Sequence, residues 1–238
     1  MADMEQYPQE WRQYDPIQPR GTDWRGFFRK LWAPIAAIGA FLAKFGVVLL
    51  FVHEMGHVVE AKRQGLPVSA PVFIPFMGAL ISLKQMPHNA WNEAKLAIAG
   101  PIIGSAGALA LFLTGVALDS RALKALAFLG FFINLFNLLP VVPLDGGRIV
   151  AALHPAFWLV GFLALLGLCI WRPNPILIII LLFSASELWR RWQMRGHPEM
   201  QDYYRVEKHQ RLIIGVLYFG LAVLLVLGMH ETHVPRDF

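Results

Sequence analysis

The arrangement of apolar residues constrains this chain more than any other feature. They lie in long blocks separated by short polar or Pro-Gly-rich stretches. About 20 consecutive apolar residues cross a bilayer's hydrocarbon, and several blocks reach that length. The composition agrees: 56% of the 238 residues are hydrophobic and 16% charged, with a mean hydropathy of +0.50. A soluble domain has nearer a quarter charged residues. This rules out disorder and argues against an ordinary cytosolic enzyme. The lone Cys169 excludes an internal disulfide framework and a Cys-based zinc knuckle.

The expected fold class is all-α, a polytopic transmembrane helix bundle of about six spans. These are Phe41–Val59, Leu96–Leu118, Ala122–Leu139, Ile149–Ile170, Pro175–Trp189 and Leu212–Met229. The domain expectation is a polar N-terminal arm over 1–30, a membrane domain over 31–229 with its core at 41–155, and a polar tail over 230–238. The arm has no apolar core near Met1 and is not a signal peptide. Leu31 to Lys62 is too long for one perpendicular crossing, so its first half reads as an interfacial helix, a re-entrant piece or half of a hairpin. Ile149–Ile170 is entered through His154-Pro155.

The net charge is +5 and the pI about 9.6, but nothing in the loops resembles a base-reading motif, so no nucleic-acid partner is expected. Topology explains the charge better. Lys62, Arg63, Lys84, Lys95, Arg148, Arg190, Arg191, Arg195, Arg205, Lys208 and Arg211 fall on one side of the expected spans, and Arg121, Lys124, Arg172 and Arg236 on the other. By the positive-inside rule the first side is cytoplasmic. No internal repeat is evident, which argues against an inverted-repeat transporter.

Three ionisable residues interrupt the first apolar block: His53-Glu54-Met55-Gly56-His57. On a helix, positions i and i+4 lie about 40° apart, so both imidazoles share one face and can hold one metal. Glu54 is turned about 100° from His53, which suits a base acting on a metal-polarised water rather than a ligand. An ionisable residue within a membrane segment costs roughly 2.5–3.5 kcal/mol on insertion scales. Three within five positions therefore need a compensating function. The bland alternative is a helix end that has reached water. A catalytic zinc needs a third protein ligand. Asp145, in Pro143-Leu144-Asp145-Gly146-Gly147, is the best candidate, although an ordinary Asp-Gly turn has the same sequence. Glu60, on the same stripe as His53, is the second, although it also fits a surface ion pair. Glu187, beside Arg190 and Arg191, reads as interfacial. His88 and His154 read as unpaired structural histidines.

These motifs together resemble the site-2 proteases, the intramembrane zinc metalloproteases of peptidase family M50, in a bacterial-type branch. The HExxH at 53–57 precedes a Leu144-Asp145-Gly146 in a later segment. Between them, Pro71-Val-Phe-Ile-Pro-Phe-Met-Gly-Ala79 and Glu93-Ala-Lys-Leu-Ala-Ile-Ala-Gly-Pro101 resemble the family's intervening segments. Asn134-Leu-Phe-Asn-Leu-Leu-Pro140, running on to Arg148, resembles the segment of the third ligand. The resemblance implies one Zn2+ per chain held by His53, His57 and Asp145, with Glu54 as catalytic base. It implies substrates that are transmembrane or signal-peptide-like proteins, cleaved within or near their spans. The protein is expected in the lipid bilayer of the cell membrane. Because His57 and Asp145 lie toward the ends of their segments that the Lys/Arg count makes cytoplasmic, water is expected to reach the site from the cytoplasm. The resemblance also suggests that Asn137 helps to hold the substrate, where the plainer reading of Asn134 and Asn137 is interhelical hydrogen-bond glue. The β-formers over 72–83 suggest a membrane-dipping β-hairpin whose edge receives a peptide, or else a packed loop. Two features depart from the family pattern. Gly104 stands where many relatives carry Asn, and the stretch before His53 is short. The competing functional reading is a membrane metal binder without proteolysis, either a transporter or a degenerate protease acting as a binding partner.

Overall fold

The computed structural model describes residues 45–68, 72–74, 78–80, 87–154, 156–194 and 196–232. The expectations for the N-terminal arm, for Leu31–Lys44 and for the end of the C-terminal tail lie outside these residues. The described part is dominated by helices: α1 over 45–63, α2 (Ala90–Ala117), α3 (Arg121–Asn137), α4 (Asp145–Leu153), α5 (Ala156–Trp171), α6 (Pro175–Met194), α7 (Pro198–Tyr203) and α8 (Lys208–Thr232). Between α1 and α2, β1 (Val72–Ile74) and β2 (Gly78–Leu80) pair antiparallel with Val72 opposite Leu80. The rest of the 72–83 segment, residues 75–77 and 81–83, lies outside the described residues.

Local sequence sets the helix ends. α1 stops at Gly65, whose φ of 71° is left-handed, and the Leu66 N–H closes back on the Ala61 carbonyl. Asn89 caps α2 by accepting from the Asn92 N–H at 2.9 Å, and Glu93 lies in its first turn, where a negative charge is favoured. Ser120 caps α3.

One expected span is not a single helix. Ile149–Ile170 divides into α4 and α5 at His154, which is extended at φ −166° and ψ 134°. The following Pro155 disfavours helical geometry in the residue before it. His154 is not unpaired either: its Nδ1 accepts from the Ala156 N–H at 3.1 Å, so it caps α5. The polar stretch Arg190–Gln210 is likewise more ordered than a loop, for it holds the end of α6, all of α7 and the start of α8.

Two of the helices, α2 and α8, are long and apolar enough to cross a membrane. The apolar side chains of α8 are mostly exposed, Val216 and Leu224 among them. In water such a face would be costly; against lipid it costs nothing. Inside, helices approach through small residues. Ala90, Ala94, Ala97, Ala108 and Ala127 are fully buried, and a Cβ on Gly130 would press on Ala108. Close packing through small side chains is how helices associate where lipid removes the hydrophobic drive. The pair α2–α3 built in this way, with α4 and α8 against it, positions the site.

Candidate metal centre

His53 and His57 project from one face of α1, as the i, i+4 spacing requires. Asp145 reaches them from the first turn of α4. His53 Nε2 lies 3.0 Å from Asp145 Oδ2 and His57 Nε2 lies 3.2 Å from it. The two imidazole Nε2 atoms are 3.1 Å apart. His53 and Asp145 are buried.

The other ring nitrogens define the tautomers. His57 Nδ1 is 2.8 Å from the Leu96 carbonyl. A carbonyl only accepts, so this nitrogen carries the proton. His53 Nδ1 is 2.9 Å from Asn134 Oδ1. Asn134 Nδ2 donates to the Gly130 carbonyl at 2.8 Å, which orients the amide and leaves its oxygen to accept from His53. Both Nε2 atoms therefore present lone pairs, and they face a carboxylate oxygen. Three lone-pair donors within 3.2 Å repel one another unless a cation lies among them. One proton can bridge only one pair, whereas a metal ion satisfies all three.

The donor set fits zinc. Ligands about 2.0–2.1 Å from a tetrahedral ion stand about 3.3 Å apart, close to the separations found here. Two imidazoles and one carboxylate leave a fourth position open, the arrangement of catalytic rather than structural zinc. Among the described residues, His53, His57 and Asp145 form a group whose ligand atoms all lie within 4.8 Å of one another.

Glycines allow the approach. A Cβ on Gly56 would strike the Ala99 carbonyl, so α1 and α2 cross at backbone contact. A Cβ on Gly100 would press on Nε2 of both histidines. Gly146 and Gly147 nest against the carbonyls of Leu138, Leu139 and Val141, which draws the start of α4 inward. The Tyr218 hydroxyl donates to the Leu138 carbonyl at 2.5 Å and steadies the same turn from α8.

The remaining candidates separate clearly. Glu54 is half-buried and lies within electrostatic range of His57, His53 and Asp145. Glu60 is apart from the cluster, held by Gln64 Nε2 at 2.9 Å and near Arg63 at 3.9 Å. Glu187 binds Arg190 and Arg191 on its own helix. Asn137 Nδ2 donates to the Ile133 carbonyl of its own helix at 3.0 Å.

Asn134 is the residue whose part sequence reasoning did not separate from general glue. Its signal was present in the departure at Gly104. A Cβ at 104 would collide with the Asn134 amide, so the missing side chain on α2 makes room for the polar one on α3.

Comparison with known proteins follows the same residues. The pattern of peptidase family M50 matches residues 40–120 and 117–158, half of the chain, and includes every residue of the cluster. A zinc metalloprotease of Methanocaldococcus jannaschii is 28% identical over 150 residues, covering 59% of this chain and 43% of that protein. The Mycobacterium tuberculosis protein Rip3, also named as a zinc metalloprotease, is 37% identical over 123 residues, covering 48% of this chain and 31% of that protein. A Synechocystis protein with a similar name is 31% identical over 106 residues, covering 42% of this chain and 28% of that protein. The matched region thus spans less than half the length of these relatives. With the matched half of the sequence carrying the whole cluster, the chain belongs to peptidase family M50.

Proposed function

We propose that this chain is an intramembrane zinc metalloprotease that hydrolyses peptide bonds within or near the spans of transmembrane substrates. The observation that carries this reading is the convergence of three lone-pair donors, on helices with lipid-compatible surfaces, beside an unspent carboxylate. His53, His57 and Asp145 would hold one zinc. Bound there, the metal would supply Lewis acidity toward the scissile carbonyl and toward a water near neutral pH. Glu54, turned off the ligand face, takes the proton of the attacking water and returns it to the leaving amine. The Nδ1 bonds to Asn134 and Leu96 hold both imidazoles in the tautomer that presents Nε2.

Six crossings support this chemistry: α1, α2, α3, α5, α6 and α8. The Lys/Arg distribution puts the ends of α1 and α6 and the start of α8 in the cytoplasm. His57 lies within two turns of the end of α1, so water enters from that side. A substrate helix must unwind to expose its peptide bonds. The β1–β2 pair, dipping into the membrane, offers an edge to which an extended peptide adds as a strand, and Asn137 steadies that peptide. The cell membrane is the proposed location.

The test compares wild type with Glu54→Gln on a model transmembrane substrate. The expected outcome is stoichiometric zinc in both, with cleavage at least about 100-fold slower in the variant, the typical worth of a general base. Zinc with equal turnover would remove Glu54 from its role, and a wild type that binds zinc but cleaves nothing would favour a metal-binding partner protein. Cysteines placed near Lys62 and within Arg190–Gln210 should be labelled from the cytoplasmic face alone. Labelling of either from outside would reverse the topology.

A further inference from the structure

Behind Asp145, two chains of contacts run to the connection between α6 and α8. In the first, the Tyr203 hydroxyl donates to Glu93 Oε2 at 2.8 Å. Arg148 Nε donates to the other oxygen of that carboxylate at 3.2 Å. Arg148 Nη1 then stands 3.9 Å from Asp145 Oδ1, the oxygen that does not face the imidazoles. Glu93 is buried, and a buried charge without partners would be expensive. Burial and the adjacent carboxylate push the Tyr203 phenol well up, so the hydroxyl remains a donor.

The second chain starts one residue on. The Tyr204 hydroxyl is bonded to Arg191, whose guanidinium lies 4.2 Å over the Trp158 ring. Glu187 holds Arg191 from its own helix at 2.7 Å. Trp158 Nε1 donates to the Gly147 carbonyl at 2.7 Å, in the turn that bears Asp145. The Tyr203 and Tyr204 rings meet edge-on at 5.2 Å. The end of one short helix, α7, therefore feeds both chains. The family match ends at residue 158, so Arg191, Tyr203 and Tyr204 lie outside it.

We propose that the α6–α8 connection is a clasp on the metal centre, with Glu93 and Tyr203 as positioning residues that act through Arg148 on Asp145. The proposal rests on the zinc reading above. Its physical basis is a competition for one cation. Arg148 is anchored on Glu93 and is kept at the far oxygen of Asp145, leaving Oδ2 to the two imidazoles. Without that anchor the guanidinium closes on Asp145 and competes with the metal for the carboxylate. Tyr203 matters because it holds one oxygen of Glu93 and so turns the other toward Arg148.

The test reads metal binding rather than cleavage. Zinc affinity of the purified full chain is measured by competition with a chromophoric chelator, and ligand geometry by the visible spectrum of the cobalt(II)-loaded protein. Groups that orient ligands typically contribute 10–100-fold in metal affinity, so Glu93→Gln should weaken zinc binding by about that factor. Tyr203→Phe, one contact further out, should weaken it less, by roughly 3–10-fold, below that range. The double variant should bind no more weakly than Glu93→Gln alone, because both act on one chain. Trp158→Phe should add to the loss, because it cuts the other. The cobalt spectrum should shift in each. Tyr203→Phe retains its ring and its packing, so the metal-free variant should still fold cooperatively, its unfolding midpoint lowered only by the lost hydrogen bond to Glu93. Wild-type affinity and spectrum in both Glu93→Gln and Tyr203→Phe would overturn the clasp while leaving the zinc reading intact. Absence of zinc binding in the wild type would overturn both.

Discussion

Glycine serves opposite ends in two regions of this molecule. In the α1–α2–α3 region, Gly56, Gly100 and Gly104 each stand where a single added carbon would meet backbone, a ligand nitrogen or the Asn134 amide. In α5 and α8, Gly167 and Gly220 have nothing within 4 Å of the place where a Cβ would stand. The surroundings differ accordingly. The first set lies among His53, Asn134 and Asp145, all buried, while the second shares helices with exposed Leu163, Ile170 and Val223. In the first region the lack of a side chain is a steric requirement of bringing ligands from separate helices to one point. In the second it is a tolerated loss of helix propensity on an open face.

The largest expected effect is at Gly100. Gly100→Ala places a methyl against both ligand nitrogens, so zinc content after dialysis should fall to near zero and cleavage with it. A variant retaining one zinc per chain would abolish the contrast. Next in size is the pair of asparagines on α3. Asn134→Ala removes the acceptor for His53 Nδ1 and should weaken zinc binding by about 10–100-fold. Asn137→Ala should leave zinc affinity as it was and, if its proposed substrate role holds, raise KM. Equal losses of zinc in the two would mean that the amides act as general glue. Glu60→Ala, in a helix surface ion pair, should leave zinc content unchanged; loss of metal there would move the third ligand onto α1. The smallest effect belongs to the open face. Gly167→Ala should raise stability by about 0.5–1 kcal/mol, the difference in helix propensity, seen as a higher midpoint of thermal unfolding in detergent. A lower midpoint would reveal a packed neighbour on that face.

How much of this was legible beforehand depended on the range of the interaction involved. HExxH is a local pattern, and helical periodicity alone puts both imidazoles on one side and Glu54 off it. The apolar blocks likewise announce helices without reference to any partner, two of them, α2 and α8, long and apolar enough to cross a membrane, because a helix satisfies its own backbone. The break at His154 was only half legible. Pro155 was read as the way into a span, whereas its effect on the preceding residue makes it the boundary between α4 and α5.

What the linear chain determined by itself, then, was the helical class of the fold, the α1 histidine pair and its offset carboxylate, and a short roster of acids for the third position. The choice of Asp145 over Glu60 among those acids rested on its Gly-flanked setting after an apolar block and on likeness to a family until the fold placed Asp145 at 3.0 Å from His53. Only tertiary structure decided that Asn134 and not Asn137 meets a ligand, since the two are three residues apart on α3 and alike in sequence context. It also decided that Glu93, Arg148 and Tyr203, separated by as many as 110 positions, meet behind Asp145. The physical reason is the same in each case. Periodicity sets a side chain's direction relative to its own helix axis, whereas its neighbours depend on how that helix is rotated against others. Here that rotation is set by glycine and alanine contacts between helices far apart in the chain.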